Sequence, residues 1–580
     1  MSVGGAPLAR VLRGHGAPLL VFVALALLLC APVLSDPTGL ALGHPSNDVW
    51  NHVWGFWWVA TELSMGRLPV ATELLAWPAG GSLWFIDTFN VLVTLPVSWL
   101  WGPVAAYNAA VFGNFVLCGV GAYVLANRVA RSRAGAALAG VAFMSCPHLL
   151  GQAYNGITET LSAGWLPLAI ATFLAAREAP SPVRALLAGA TFGVTAFANW
   201  YYGLFAAIVI GSVLVWDVLR ALRARRRTGF APSLLALSLA GVAAALVAGG
   251  PFTLFYLSMG AADAVVTRDR AFVFMTLVMH NMTDLVSLFR PGKHYSPDLK
   301  AQFDEDLLVV VYLGHALVWP ALATLWGGWR RFAQPWALFA AGFVLLTLGP
   351  FLYVAGAYVQ LDGGWIPLPF LALFEAFPLF SRISHAYRFV LGASLALAVM
   401  LAWAVRDLGQ RGVPVVAAAA WLGALRLVEA LWLSPAVFPI PAADTHVPAV
   451  YATLGEGAVL DLPVSLPVLA RSRYGMYQMV HGQPVPYGLN DPSPLYLYVN
   501  RYTRLLIELE RSTIAFLPAE LPMLDLALGQ QALVDGGLRW IVLHRAEYPP
   551  AQYAKVAQLL DLTATATWDD GDTRVYRIGP

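Results

Sequence analysis

TFNVLVTLPVSWLWGP, residues 88–103, is the stretch on which the architecture turns. It is apolar enough to enter a bilayer, yet short of the about 20 residues a span needs, and Pro96 interrupts it. Counted as a span, it places Arg128, Arg131 and Arg133 outside the cytoplasm. Counted as an interfacial or re-entrant helix, it places them inside. Arg10/Arg13, Arg177/Arg184, Arg220 to Arg227, Arg330/Arg331 and Arg406/Arg411 then fall inside as well. Six short segments obey the positive-inside rule together, so the second reading is adopted.

Outward from that stretch the chain reads as an all-α polytopic membrane bundle. Apolar runs long enough to cross a bilayer occupy about 15–35, 105–127, 134–149, 159–177, 182–198, 201–220, 233–256, 306–326, 335–357, 387–405 and 413–434, about eleven spans. The first is read as a retained helix, because Asp36-Pro37 follows it without a small-residue cleavage site. The N-terminus is then cytoplasmic and the C-terminus is not. Composition agrees: 59% of the 580 residues are apolar and 12% charged, against about a quarter charged in soluble domains. A net charge of +2 gives no reason to expect a nucleic-acid partner. Cys30, Cys118 and Cys146 all sit in apolar runs and are read as packing residues, not disulfides or zinc ligands.

This topology leaves three sizeable outer segments, 36–104, 259–305 and 358–386. The first carries HPSNDVWNHVWGFWW and then WPAGGSLWFID. Trp50, Trp54, Trp57, Trp58, Trp77 and Trp84 suit a segment at headgroup level, the first four on an amphipathic helix. Asp48 and His52 stand at i and i+4 on one helical face, with His44 and Asn47 just before it. Either Asn47 or Asp48 also serves as an N-cap. After Ser434-Pro435 the character changes. Strand patterns at 457–464, 538–544 and 573–579 alternate with helical ones at 494–510 and 551–562. The expected division is a membrane domain over 1–434 and an extracytoplasmic α/β domain over 435–580.

Several motifs run in a telling order: NDVWNHVW, LPVSWLWGPVAAYN, GQAYNGITETLSAGWLPLAI, IPLPFLALFEAFPLFSRISHAYRF and YQMVHGQPVPYG. Together with the topology, over nearly the whole chain, they resemble the GT-C superfamily of integral membrane glycosyltransferases, in particular its poorly characterised bacterial branch. The resemblance implies transfer of a hexose or pentose, with inversion, from a polyprenyl-phosphate donor to an extracytoplasmic glycan, lipid or protein, in a bacterial cytoplasmic membrane. It implies a key carboxylate in the first outer loop, the position Asp48 holds, and a second in the next loop, matched by Glu159. Asn47 precedes Asp48 where many members have a second acid. Asp87 is a third carboxylate, read as starting the helix at 88. His44, Asn47, His52, Tyr154 and Asn155 are the candidate substrate-binding residues. A divalent cation is the one cofactor the resemblance brings up, with no ligand set to assign.

A lipid-linked phosphate also calls for cations on the outer side, where topology disfavours them. Arg382, His385 and Arg388 follow at i, i+3 and i+6, as on one helical face at the membrane edge. Arg268, Arg270, Arg290, Lys293 and His294 lie in the segment 259–305. Headgroup anchoring explains any one of these equally. Arg426 and Glu429, deep in the last span, read as a mutual structural pair. Tyr477, Gln478, His481 and Gln483 form a polar-aromatic cluster that suits a glycan or a contact between domain and bundle. Two other classes stay open. One is a non-catalytic membrane protein of the same architecture. The other is a lipid or polysaccharide transporter, which would usually carry inverted repeats and polar residues at the midplane.

Overall fold

The structure is a computed structural model that describes residues 6–223, 230–266, 269–291, 307–489, 495–513 and 521–579. Arg268, Lys293, His294 and residues 225–227 lie outside them.

The deciding stretch forms a helix that does not stop at 103. A helical run extends over Thr88–Ala130, broken at Gly102, whose φ of 87° and ψ of 171° only glycine adopts without strain. The piece 88–101 is about 21 Å long, short of the about 30 Å hydrocarbon core. It exposes Leu92, Val93, Trp99, Leu100 and Trp101, as a helix embedded in the membrane surface would. The span proper begins at Pro103, where the missing N–H costs nothing in a first turn.

Among the described residues, seven helices are long and apolar enough to cross a membrane: Thr88–Ala130, Arg133–Asn155, Thr158–Glu178, Trp200–Arg223, Leu235–Gly260, Ala386–Gln410 and Val415–Leu433. The protein is an integral membrane protein of helical architecture. Ala386–Gln410 is the central helix, buried along its whole apolar window. Leu235–Gly260 is at the rim and packs on Pro182–Ala198. Small residues allow that packing. A Cβ on Gly189 would lie 2.0 Å from the Ala240 carbonyl, and one on Gly193 2.8 Å from Val247, a Gly-x-x-x-Gly contact. Four arginine clusters meet at one end. Arg406 Nη1 donates to the Ala130 carbonyl (2.6 Å), Arg128 pairs with Glu178 (2.6 Å), and Arg177 grips Asp217 with two bonds of 2.6 Å.

Four of the eleven expected spans are not among these seven: over 15–35 and 182–198 the apolar helices are shorter, His15–Leu29 and Pro182–Ala198, and two others differ in form. Over 306–326 the helix is only His315–Ala323, and Leu308 to Leu313 run extended with 0–2% exposure. The β-branched run Val309–Val311 disfavours helix, and Asn155 supplies partners instead, accepting from Leu308 N and donating to its carbonyl, both 2.9 Å. Extended backbone at such depth is tolerated because protein surrounds it. Over 335–357 the helix is Arg330–Thr347, and two hairpins follow, Tyr353–Val354 with Ala357–Tyr358 and Gln360–Leu361 with Gly364–Trp365.

The last third contains a four-stranded sheet in the order Thr565–Asp569, Thr573–Arg577, Leu538–His544, Ala458–Leu462. The last pair is parallel and the others antiparallel. Thr565–Asp569 was not read as a strand because its side chains are all exposed and show no alternation. This region is stitched to the first outer segment. Leu40–Leu42 pairs antiparallel with Ala442–Asp444, Trp77 Nε1 donates to the Gly536 carbonyl (3.0 Å), and Trp54 Nε1 donates to Gln478 Oε1 (2.7 Å). In consequence Trp50, Trp54 and Trp58 are each 1% exposed. They do not lie at headgroup level as expected, because the C-terminal region covers them.

Candidate active site

The helix Val49–Ser64 starts at Asp48, whose side chain makes no capping bond and instead accepts from Asn51 Nδ2 at 2.7 Å. Its start is fixed from outside. Asp48 N donates to the Asn155 carbonyl (3.0 Å), and Gly156, at φ 77°, closes the helix Pro147–Asn155. A Cβ on Gly156 would lie 2.6 Å from the Val49 backbone, so glycine is required both for the turn and for the approach. That contact sets the Asp48 end of one helix beside Glu159, which begins the next span.

His52 occupies the middle. Its Nε2 lies 3.4 Å from Glu159 Oε2 and 3.9 Å from Asp48 Oδ2, and its Nδ1 lies 3.5 Å from Asp87 Oδ2 and 2.9 Å from Thr158 Oγ1. Asp87 is fully buried. It accepts from Thr158 Oγ1 and from Asn90 Nδ2 (2.6 Å). Burial would push the His52 imidazole down, but the contact with Asp87 and the charges of Glu159, Asp48 and Asp87 outweigh it and hold its pKa at about 9. Glu159 meets a second cation on its other oxygen, Arg388 Nη1 at 3.5 Å. The Arg388 guanidinium also lies over the Tyr201 ring, 5.2 Å from its centroid.

These groups face a cavity of about 1150 Å³. Asp48, Asn51, His52 and Glu159 line it together with Arg382, His385 and Arg388, and the two sets meet at the Glu159–Arg388 pair. Phe252, Phe255, Tyr256, Leu257 and Met259, at the end of the rim helix Leu235–Gly260, form an apolar wall. Arg382, His385 and Arg388 are not on one helix. Arg382 ends a 3-10 turn, Ile383 is extended, and His385 precedes another 3-10 turn, Ala386–Phe389. The bent backbone brings all three to the cavity nevertheless. Ser384 O accepts from Asn281 Nδ2 (2.8 Å), and His385 N donates to Tyr201 Oη (3.3 Å).

The remaining candidates have other places. His44 stacks on Tyr154 with centroids 5.1 Å apart, Asn47 donates to Asn155 Oδ1 (3.2 Å), and Asn155 holds Leu308. None of these four lines the cavity. Asn155 braces the loop that presents Asp48, since its side chain pairs with the Leu308 backbone while its carbonyl accepts from Asp48 N. Arg270 pairs with Glu375 at the surface, away from the cavity lining. Arg426 and Glu429 do pair, at 3.5 Å. Glu429 also accepts from Tyr312 Oη, His315 N and Ala316 N (2.7, 2.6 and 2.9 Å) and so starts the helix at His315. Gln478 bonds Trp54 and the Leu74 carbonyl, a contact between the C-terminal region and the first outer segment. Asp87 does more than start a helix, since it anchors His52. Tyr201 and Thr158 were missed. The only sequence signal for them was their place next to Trp200 and Glu159 at span ends. Among the described residues, no three His, Cys, Asp or Glu side chains are placed to hold a metal ion.

No protein-family model and no curated protein matches the sequence. Among solved structures, the arabinofuranosyltransferase AftD from Mycobacteria is similar over 97% of this chain at 13% identity and a TM-score of 0.59. The chain spans 40% of the length of AftD. The oligosaccharyltransferase of Archaeoglobus fulgidus aligns over 97% of this chain and 74% of its own, at 11% identity and a TM-score of 0.49. ArnT from Cupriavidus metallidurans, bound to undecaprenyl phosphate, aligns over 98% and 99%, at 14% identity and a TM-score of 0.44. The likeness to AftD shows a shared fold.

Proposed function

We propose that the protein is a membrane glycosyltransferase that moves a sugar, with inversion, from a polyprenyl-phosphate donor to an extracytoplasmic acceptor. The observation that carries this reading is the cavity, which runs from an apolar wall on the rim helix to buried carboxylates and arginines. A lipid-linked sugar phosphate needs those three surfaces together: hydrocarbon for the chain, cations for the phosphate and a carboxylate for the reacting hydroxyl.

In this reading Asp48 is the base. Its side chain is 13% exposed against 3% for Glu159, and it lies furthest of the three carboxylates from His52. The acceptor oxygen attacks the anomeric carbon and gives its proton to Asp48. The bond from that carbon to the phosphate oxygen breaks, and the polyprenyl phosphate leaves with the electron pair. Arg382 and Arg388 hold the departing oxygens, and inversion follows from attack opposite the leaving group. Glu159 keeps Arg388 and His52 in position. The C-terminal region, including the sheet, forms an extracytoplasmic domain, since it is stitched to the loop that carries Asp48, and Val468 and Leu469 line the same cavity. The arginine clusters at the other end face the cytoplasm of a bacterial inner membrane.

The test is transfer of label from a panel of radiolabelled polyprenyl-phosphate sugars by purified protein in lipid. Transfer lost in Asp48→Asn supports the reading. An inactive wild type across hexose and pentose donors, with extracted envelope glycans and lipids as acceptors, refutes it.

A further inference from the structure

The acidic pole poses an electrostatic problem. Asp48, Asp87 and Glu159 meet in one site where, without a cation among them, their charges would repel one another. His52 lies on the line of all three, with Glu159 and Asp48 on its Nε2 side and Asp87 on its Nδ1 side. The width of the ring therefore separates Asp87 from the other two. The three carboxylates cannot close on one metal ion at about 2.0–2.6 Å unless the ring leaves.

We propose that the imidazolium of His52 is the built-in cation of this site, a positioning residue that offsets the carboxylates of Asp48, Asp87 and Glu159 and makes transfer independent of a divalent metal. This rests on the glycosyltransferase reading. The neighbours that bear on the charge are named by the packing. Asp48 lies on its own helix, Asp87 and Tyr107 on the run that follows the first outer segment, Thr158 and Glu159 on the next, and Arg388 behind Glu159. Tyr107 Oη donates to the Leu42 carbonyl (2.6 Å). Arg388 adds one further positive charge on the far side of Glu159. Two cations against three carboxylates leave the pole negative, which favours a charged ring. The Phe85 ring packs against the imidazole edge (5.8 Å between centroids) and keeps water from replacing it.

The first measurement needs no substrate. Histidine-labelled wild type and His52→Gln are compared by NMR, and the resonance lost in the variant is followed from pH 5 to 10. Expected is an imidazolium at pH 7 that titrates near pH 9. A neutral ring at pH 7 overturns the proposal whatever the enzyme's activity. The second uses the donor found active for wild type. Turnover should survive EDTA, fall as pH rises through about 9, and drop by about tenfold or more in His52→Gln, whose residual activity lacks that alkaline limb. Loss of wild-type activity in EDTA, or an alkaline limb that persists in His52→Gln, would also overturn it. If no donor is active, the function fails while the NMR result still judges the charge.

Discussion

Replacing Asp87 with asparagine should unfold the site rather than merely slow it. The substitution keeps shape and lets Oδ1 go on accepting from Asn90, 2.6 Å away. What goes is the charge on the other oxygen, which accepts from Thr158 Oγ1 and lies 3.5 Å from His52 Nδ1. A hydrogen bond to a charged group contributes about 1.5–3 kcal/mol. Loss of one partner of a buried cation adds about 1.4 kcal/mol for each pKa unit by which His52 falls. The sum is roughly 3 kcal/mol or more, because the Asp87 and His52 side chains are 0% and 5% exposed. Thr158→Val removes the hydroxyl and leaves the carboxylate, so it should cost about 1–3 kcal/mol. Thermal unfolding of the purified protein in detergent, followed by intrinsic fluorescence, gives the order: wild type highest, Thr158→Val next, Asp87→Asn lowest. An Asp87→Asn protein that melts with wild type refutes the reasoning.

Asp48→Asn should lower transfer by about a hundredfold or more with only a small fall in melting temperature, because Asp48 makes no capping bond that its helix would lose and lies 3.9 Å from His52; equal activity removes it as the base. His52, raised from 6.5 to about 9 on folding, contributes stability that is fully present below pH 6.5 and is lost as pH rises through 9. Melting of wild type should therefore fall relative to His52→Gln across that window, and parallel curves would contradict it. Glu429→Gln should destabilise by about 3–5 kcal/mol, and adding Arg426→Met should restore part of it, since the cost is the stranded guanidinium; additive losses in a double-mutant cycle would argue against the pair. Arg388→Lys keeps the charge but not the fork, so the KM for donor should rise while the fold survives, and an unchanged KM would remove it from the phosphate site. A cysteine at Ser472 should react with an impermeant thiol reagent in cells with a permeable outer layer while one at Ser132 stays protected; the reverse pattern would invert the topology.

Much of the bundle could be read from spacing and charge. The helix 88–101 is as short as the sequence suggests, although Gly102 and not Pro96 ends it, and four of the arginine clusters share one end. The errors fall where local pattern meets tertiary demand. LLVVVYLG reads as the start of a span, yet it is extended, because Asn155 and a fully enclosed trench satisfy its backbone. The tryptophans of 50–58 read as a headgroup belt, yet Gln478, more than four hundred residues later, closes over them. Asp87 reads as a cap, and nothing near it in sequence reveals His52 or Thr158.

The sequence by itself determined that the chain enters a membrane, that its arginines gather in a few short segments, and that acidic and basic residues collect in the longer segments between spans. Those properties follow from local sums: hydrophobic length against bilayer thickness, and arginines counted loop by loop. Only the tertiary structure decided which of the outer residues meet. Asp48, Asp87, Glu159 and Arg388 come from four separate elements, and His52 is placed among them by the approach of Gly156 to Val49. Burial and charge at a point depend on every chain that packs there, so a pattern confined to neighbours along the sequence does not contain them.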